Sequence, residues 1–276
     1  MAICDEDNFN VNVNLSSLSI GDAVYYNPVA DIYCSANENR NNNIYYIENN
    51  STSGVVEGCL KWNVLSKNAD GTVNLILDHN IVSGVAWHSS NDNSQGPTVV
   101  KEALNNAIKD KWNNVLLRTD SYTHTFNNGT ENNTYTVSYN GMKARLPYAQ
   151  EIANTVGYDT WNEDITTVSD AFYFDSKSDT RTVGYDNDVK TSSYAWLFNN
   201  LNWGSDSTDS SNNSTCLYYG CVQNLGKTRG DYGYWTSTAI AEYSDRSWAI
   251  DCSGFLDRYP VLNYISGIRP VITLSN

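Results

Sequence analysis

Asparagine is the residue that most restricts what this chain can fold into. The sequence contains 38 asparagines in 276 residues, several of them in runs such as Asn41-Asn42-Asn43. Asparagine favours turns over helix interiors because its side chain hydrogen-bonds to nearby backbone groups. Hydrophobic residues still make up 40% of the chain, with 8 Trp and 20 Tyr, which is enough for a sizeable core. We therefore expect long polar loops on a compact scaffold.

Apolar spacing predicts strands towards both ends of the chain and helices in its middle. The predicted strands cover residues 21–26, 61–66, 72–77, 233–239, 246–251 and 267–274. Between the second and third strands, Asn68-Ala69-Asp70-Gly71 is typical of a hairpin turn. Helical spacing predicts helices over residues 97–117, 147–156 and 193–202.

This order of elements predicts an α+β fold class, in a single domain that covers residues 21–276. Residues 1–20 are polar with weak alternation, so we expect an N-terminal arm or an edge strand there. No internal repeat and no clear boundary divides the chain.

The charge of the chain excludes several classes of partner. The formal net charge is -14 at pH 7, and the 17 Lys and Arg residues are scattered. Because binding to phosphate backbones or anionic lipids needs clustered basic residues, we expect no nucleic-acid partner. No stretch of 18 apolar residues occurs, so we expect no membrane span in these 276 residues.

Six cysteines point to an oxidising compartment: Cys4, Cys34, Cys59, Cys216, Cys221 and Cys252. An even number in an acidic, aromatic-rich chain favours an extracellular or cell-surface protein with disulfides. The short spacing predicts a Cys216–Cys221 bond first. Cys34 and Cys59 flank an Asn-rich segment and form the next predicted pair. Short Cys-x2-Cys pairs are absent, so we expect no metal site and no cofactor.

Three motifs carry a resemblance to a known family. They are Gly233-Tyr234-Trp235-Thr236-Ser237-Thr238, Gly267-Ile268-Arg269-Pro270-Val271, and Ala144-Arg145-Leu146-Pro147 leading into a helix. Together they resemble a domain of Gram-positive surface proteins that is related to formylglycine-generating-enzyme-type domains and to the variable proteins of diversity-generating retroelements. The resemblance implies a C-type-lectin-like fold with long polar loop insertions. Such a likeness concerns the fold and does not by itself define a function.

Four residues of these motifs and their neighbourhood are expected to have structural roles. Gly267 and Pro270 constrain the backbone around Arg269, whose side chain we expect to bridge carbonyls or a carboxylate of the core. Trp235 and Trp248 alternate with polar neighbours, so we expect them to fill the core.

No arrangement of reactive residues predicts an enzyme. The three histidines, His79, His88 and His124, are far apart in the sequence, and no Gly-x-Ser-x-Gly motif is present. Formylglycine-generating enzymes need a reactive cysteine pair near the C-terminal groove, where only Cys252 lies. Trp161-Asn162-Glu163-Asp164 resembles half of a lectin calcium motif, but the Glu-Pro-Asn partner is missing.

The segment before Gly267 has the composition of a contact surface, since Tyr, Arg, Ser and Asp are interleaved there. Residues 233–268 contain one asparagine, Asn263, although 38 in 276 would place about 5 in 36 positions. Scrambling of Asn codons by a retroelement would leave that depletion, and so would a compact β region that disfavours asparagine. The predicted ligand-binding residues are Tyr243, Ser244, Asp245, Arg246, Asp251, Ser253, Phe255, Asp257, Arg258, Tyr259, Leu262 and Tyr264.

The sequence therefore predicts an extracytoplasmic, adhesin-like or receptor-like protein that binds a protein or glycan ligand through this surface. Two alternatives stay open. One is a pilin-like or cell-wall subunit in which the same surface joins copies of the chain. The other is an enzyme of the formylglycine-generating type.

Overall fold

Strands dominate the architecture seen in a computed structural model. The structure describes residues 12–34, 56–78, 80–82, 84–127, 132–157, 161–163, 195–198, 233–250, 256–263 and 266–275. Antiparallel sheets form most of this part, and its helices are few and short. The α+β prediction is therefore wrong, and the fold is β-rich.

The larger sheet has five antiparallel strands in the order β11-β4-β3-β1-β2. Its strands are β1 (Ala23–Asn27), β2 (Ile32–Tyr33), β3 (Leu60–Lys67), β4 (Val73–Leu77) and β11 (Val271–Leu274). The predicted hairpin connects β3 to β4, and Gly71 adopts a φ of 87° in its turn. The C-terminal strand β11 pairs with β4 at one edge of the sheet, and the N-terminal strands β1 and β2 lie at the other edge.

A smaller sheet has the order β10-β7-β8-β9. Its strands are β7 (Gly233–Ala239), β8 (Arg246–Ile250), β9 (Leu256–Pro260) and β10 (Ser266–Gly267). Only the β10–β7 pair is parallel. A separate hairpin consists of β5 (Ser121–Asn127) and β6 (Asn132–Ser138), which the sequence analysis did not predict.

The first two helices are shorter than their apolar patterns suggest. They are α1 (Thr98–Ile108), α2 (Ala149–Thr155) and α3 (Ala195–Phe198), and a 3-10 turn spans Leu15–Ser17 where an arm or edge strand was expected. Trp112 and Val115 continue the apolar spacing of α1, but they are buried residues of turns. The Trp112 indole donates a hydrogen bond to the Val56 carbonyl at 2.6 Å, which fixes it outside the helix. Buried residues beyond the end of α1 therefore follow helical spacing without being helical. Their spacing extended the predicted helix to residue 117 and favoured the α+β prediction.

Strands β4 and β7 and most of β3 and β8 are buried on both faces. A first core contains Trp62, Leu75 and Trp235 among others, and a second core contains Leu65, Ile76 and Trp248 among others. Neighbouring residues of one strand, such as Val64 and Leu65 of β3, enter different cores because successive side chains of a strand point to opposite faces. This arrangement requires nearly continuous apolar strands, which is the pattern of β4.

Arg269 joins the two sheets and α3. Its side chain is fully buried, and its Nε donates a hydrogen bond to the carbonyl of Leu77 at the end of β4. Nη1 donates to the Leu197 carbonyl at 3.1 Å and Nη2 to the Trp196 carbonyl at 2.7 Å. The guanidinium carbon lies 5.3 Å from the centre of the Tyr234 ring on β7. A buried cation thus donates to three carbonyls, and the Leu197 carbonyl also accepts from the Tyr234 hydroxyl at 3.2 Å.

One of the two predicted disulfides lies in the described part of the chain. Cys34 and Cys59 are bonded, with 6.1 Å between their Cα atoms, which confirms that prediction. The bond connects the end of β2 to the residue before β3. Cys216 and Cys221 lie outside the described residues, as do Cys4 and Cys252.

Replacing Arg269 should destabilise the fold. In Arg269→Ala, the carbonyls of Leu77, Trp196 and Leu197 lose the guanidinium donor, and we expect the free energy of unfolding to fall by about 3 to 5 kcal/mol. Chemical denaturation followed by tryptophan fluorescence measures the change. Lys109→Ala, at an exposed position after α1, is the matched control and should unfold like the parent. Equal stability of the two variants would contradict the structural role of Arg269.

The disulfide should contribute to stability through the 25-residue separation that it closes. For a loop of this length, a Cys34→Ser/Cys59→Ser double variant is expected to lose about 3 kcal/mol of unfolding free energy. Urea denaturation measures the loss, and mass mapping of non-reduced peptides identifies the bonded pair. Alkylation of both thiols without reductant, in protein prepared under oxidising conditions, would contradict the bond.

Candidate functional site

The described members of the predicted ligand-binding set lie on β8, β9 and the turns that flank them. The structure describes Tyr243, Ser244, Asp245, Arg246, Arg258, Tyr259 and Leu262, together with the backbone of Asp257 in β9. Asp251, Ser253, Phe255 and Tyr264 lie outside the described residues, as does the side chain of Asp257.

Most of the described side chains of this set are half-buried. Only Ser244 and Leu262 are exposed among those described. The reason is that β7 and most of β8 are covered on both faces. Trp248 and Ile250 enter the second core, and the intervening Ala249 enters the first. Neither face of β8 is left to solvent.

The register of β8 and β9 decides which side chains meet. Arg246 lies two residues before Trp248, and Arg258 lies directly opposite Trp248 on β9. Residues two apart on a strand, and residues paired across two strands, point to the same face. Arg246 and Arg258 therefore share the face of the second core. Tyr259 pairs with Ser247 and packs against the first core, so it does not join them.

Tyr243 brings the two arginines into one cluster. Its ring packs against the second core, and the guanidinium carbons of Arg246 and Arg258 lie 5.1 Å and 5.4 Å from the ring centre. Both distances fall within the range of cation–π attraction. Asp245 approaches Arg246 Nε at 3.9 Å, which is a loose ion pair. We call Tyr243, Arg246 and Arg258 the arginine–tyrosine surface.

A buried asparagine holds the backbone beneath this surface. The Nδ2 atom of Asn93 lies 3.0 Å, 2.6 Å and 2.7 Å from the carbonyls of Ile240, Tyr243 and Arg246. Its backbone N–H donates to the Ser244 carbonyl at 2.6 Å. One side chain thus fixes the whole turn between β7 and β8. Sequence inspection missed Asn93 because it lies about 150 residues away in an ordinary polar segment.

A second constellation that the sequence analysis missed is buried between the β5–β6 hairpin and β7. His124 Nε2 lies 3.4 Å from Ser237 Oγ, and His124 Nδ1 lies 3.2 Å from Glu163 Oε1. The order of atoms is that of a serine–histidine–carboxylate triad. The serine is 0% exposed and the histidine 1%, so no substrate carbonyl can reach the hydroxyl. We assign the arrangement a role in packing.

Glu163 is the centre of that polar cluster. Tyr122 donates to its Oε1 at 2.5 Å, and the Gln150 N–H and the Thr238 hydroxyl each donate to Oε2 at 3.1 Å. Burial by itself would raise the pKa of Glu163, but the contact with His124 and these hydrogen bonds outweigh burial and hold the pKa below its usual range. The carboxylate is therefore ionised at neutral pH.

The pKa of Glu163 makes stability depend on pH. A carboxyl whose pKa is lower in the folded state stabilises the fold above its ordinary pKa, near 4.5, and this contribution is lost as pH falls through the folded-state value. We expect Glu163→Gln to lose about 3 to 5 kcal/mol at pH 7, because buried donors and His124 lose a charged partner. Its further loss of stability on acidification should be smaller than that of the parent.

Thermal unfolding between neutral and acidic pH tests this expectation. Glu102→Gln, at an exposed position of α1, is the control and should follow the parent at every pH. An unchanged acid dependence in Glu163→Gln would show that the carboxylate does not carry the effect.

The described residues contain no group of three or more His, Cys, Asp or Glu side chains that could hold a metal ion. None of the described helices is long and apolar enough to cross a membrane. In comparisons with known proteins, no family model, curated protein or solved structure matches the chain.

Proposed function

We propose that the chain is an extracytoplasmic binding protein that contacts a protein ligand through the arginine–tyrosine surface. The observation that carries this proposal is the cluster itself: one half-buried tyrosine in contact with two arginines, on a turn that a buried asparagine holds in place. Tyrosine and arginine are the residues most often found where binding energy concentrates in protein interfaces.

The fixed backbone supports binding because it lowers the entropy lost on association. A side chain that already packs against a core and two guanidinium groups has few rotamers to lose. The half-buried ring still presents part of its surface, and the exposed Ser244 and Leu262 lie on the flanking turns. An aromatic and cationic centre with a small, adaptable rim is the usual anatomy of a protein-binding patch.

The Cys34–Cys59 bond supports a location outside the cytoplasm, because disulfides persist in oxidising compartments. The hypothesis of retroelement diversification is a separate proposal, which depends on the gene's surroundings. A reverse-transcriptase gene and a template repeat in the adjacent DNA would support it.

Tyr243→Ala should weaken binding to the protein ligand by about 2 kcal/mol, or roughly 30-fold, as expected for a central aromatic contact. The measurement is an array that displays extracellular-matrix proteins, serum proteins, mucins and glycans, followed by titration of each positive spot. Tyr25→Ala is the matched control, because Tyr25 is a half-buried tyrosine on β1 of the other sheet.

Three outcomes would contradict the proposal. In the first, the parent binds no protein on the array. In the second, Tyr243→Ala binds as the parent does. In the third, the chain associates with itself and Tyr243→Ala dissolves the assembly in light scattering, which would replace the binding protein with the structural subunit.

A further inference from the structure

Two neighbouring clefts open on the larger sheet, away from every residue of the arginine–tyrosine surface. The first has a volume of about 420 Å³ and lies between the β3–β4 turn, residues 116–120 and the end of β11. The second has a volume of about 460 Å³ and lies between β3 and α2. They share Asn68, Asn74, Arg145 and Tyr148, so we treat them as one double cleft. Each half falls within the size range of small-molecule sites.

A continuous chain of hydrogen bonds forms the floor of the first half. Arg118 Nε and Nη2 each donate to Asp120 at 2.7 Å, and Nη1 donates to the Thr273 hydroxyl at 2.9 Å. That hydroxyl donates to Asn74 Oδ1 at 2.6 Å. Asn74 Nδ2 in turn lies 3.1 Å from Asn68 Oδ1.

The same chain continues into the second half. Asn74 Nδ2 also donates to the Ser66 hydroxyl at 2.9 Å, and Ser66 donates to Glu151 Oε1 at 2.9 Å. Arg145 donates to both oxygens of Glu151, at 2.6 Å and 2.8 Å. Because each floor residue holds its neighbour, the polar atoms that face the cleft keep fixed positions without a ligand.

The charges of the double cleft cancel. Its lining contains three cations, Lys67, Arg118 and Arg145, and three anions, Asp70, Asp120 and Glu151. Two opposite pairs are in direct contact, Arg118 with Asp120 and Arg145 with Glu151. In a chain with a net charge of -14, this region of the surface has no net charge. A charged ligand would gain no net attraction there, whereas a neutral polar ligand meets fixed donors and acceptors.

Tyr148 offers its hydroxyl and not its ring faces. Tyr122 stacks against the ring at 4.0 Å between centres, and the Arg145 guanidinium lies 4.3 Å from the ring centre. Burial raises the pKa of Tyr148 to about 12, so the hydroxyl is protonated and can both donate and accept.

Apolar side chains border the polar floor. Leu116 is 66% exposed and Leu117 57% exposed beside the first half, and Ile20 is 48% exposed beside the second. Exposed apolar groups around a satisfied polar floor suit a ligand with hydroxyl groups on its edges and C–H groups on its faces. Sugars have this distribution, because ring hydroxyls lie at the edge and axial C–H bonds lie on the face.

We propose that the double cleft binds a neutral oligosaccharide. The Asp120 carboxylate, the Asn68 amide and the Tyr148 hydroxyl would pair with sugar hydroxyls, and Leu116 and Leu117 would cover the C–H face. Asp120 already accepts two bonds from Arg118, but a carboxylate has about four acceptor positions, so it can accept hydroxyl donors as well. This site shares no residue with the proposed protein-binding surface and does not depend on it.

An array of neutral, sialylated and sulfated oligosaccharides, with uncharged peptides on the same slide, tests the proposal. The parent should bind neutral oligosaccharides, with an affinity that changes little between low and high salt because no net charge is paired. Asp120→Ala and Asn68→Ala should each lower the affinity roughly tenfold or more, the usual effect of losing a hydrogen bond to a charged or fixed group. Asn68 lies in an exposed turn, so that variant keeps the test valid if Asp120→Ala fails to fold.

Asp110→Ala, at an exposed position after α1, and Tyr243→Ala should bind the sugar like the parent. The proposal is overturned if the parent binds no neutral oligosaccharide, if it binds only charged glycans, or if it binds the peptides instead. It is also overturned if Asn68→Ala has no effect while Tyr243→Ala abolishes binding, because the sugar would then occupy the arginine–tyrosine surface. Loss of sugar binding in Asn68→Ala alone leaves the proposed protein-binding function unaffected.

Discussion

The buried guanidinium of Arg269 is the interaction on which the remaining structure depends. It donates to carbonyls at the end of β4 and in α3, and it lies over the Tyr234 ring of β7. A cation that is fully removed from water is costly unless its donors are satisfied, so these three groups must keep their positions together. The flanking residues reinforce this, because the Ile268 N–H and the Pro270 carbonyl pair with the backbone at Val82 and Leu77. Arg269 thus sets the relative position of the two sheets.

Burial of both faces of β7 and of most of β8 explains the character of the arginine–tyrosine surface. In the described part of the smaller sheet, the side chains of this surface emerge at the end of the sheet, where the β7–β8 turn leaves the second core. Arg246 and Arg258 share the face of Trp248 and extend beyond it to Tyr243. The surface is therefore half-buried, and Asn93 holds the turn that carries it. The turn is held in place because Tyr243 packs against the second core and Asn93 bonds its carbonyls.

The proposed surfaces differ in charge, which bears on their ligands. The arginine–tyrosine surface carries two cations, of which Arg246 forms a loose ion pair with Asp245, in a chain of net charge -14, whereas the charges of the double cleft cancel. Charges of opposite sign across an interface mainly raise association rates and select partners. A cleft without net charge instead selects by the positions of its hydrogen-bonding groups. One chain can therefore present two chemically separate modes of recognition.

The sequence by itself determined the local features of this protein. It was sufficient to predict the β3–β4 hairpin, strands β7, β8 and β11, and the Cys34–Cys59 pair. It also led to the expectation that Arg269 bridges core carbonyls. Each of these predictions used neighbouring residues, or the position of a few side chains along the chain. Only the tertiary structure decided the fold class and the sites. Trp112 follows the helical spacing of α1, but its indole donates a hydrogen bond to the Val56 carbonyl and lies outside the helix. Asn93, Glu163 and Asn74 form hydrogen bonds with residues that are far away in the sequence. Such long-range hydrogen bonds leave no periodic trace in a sequence, since nothing in the spacing of residues along the chain records which of them meet when the sheets close.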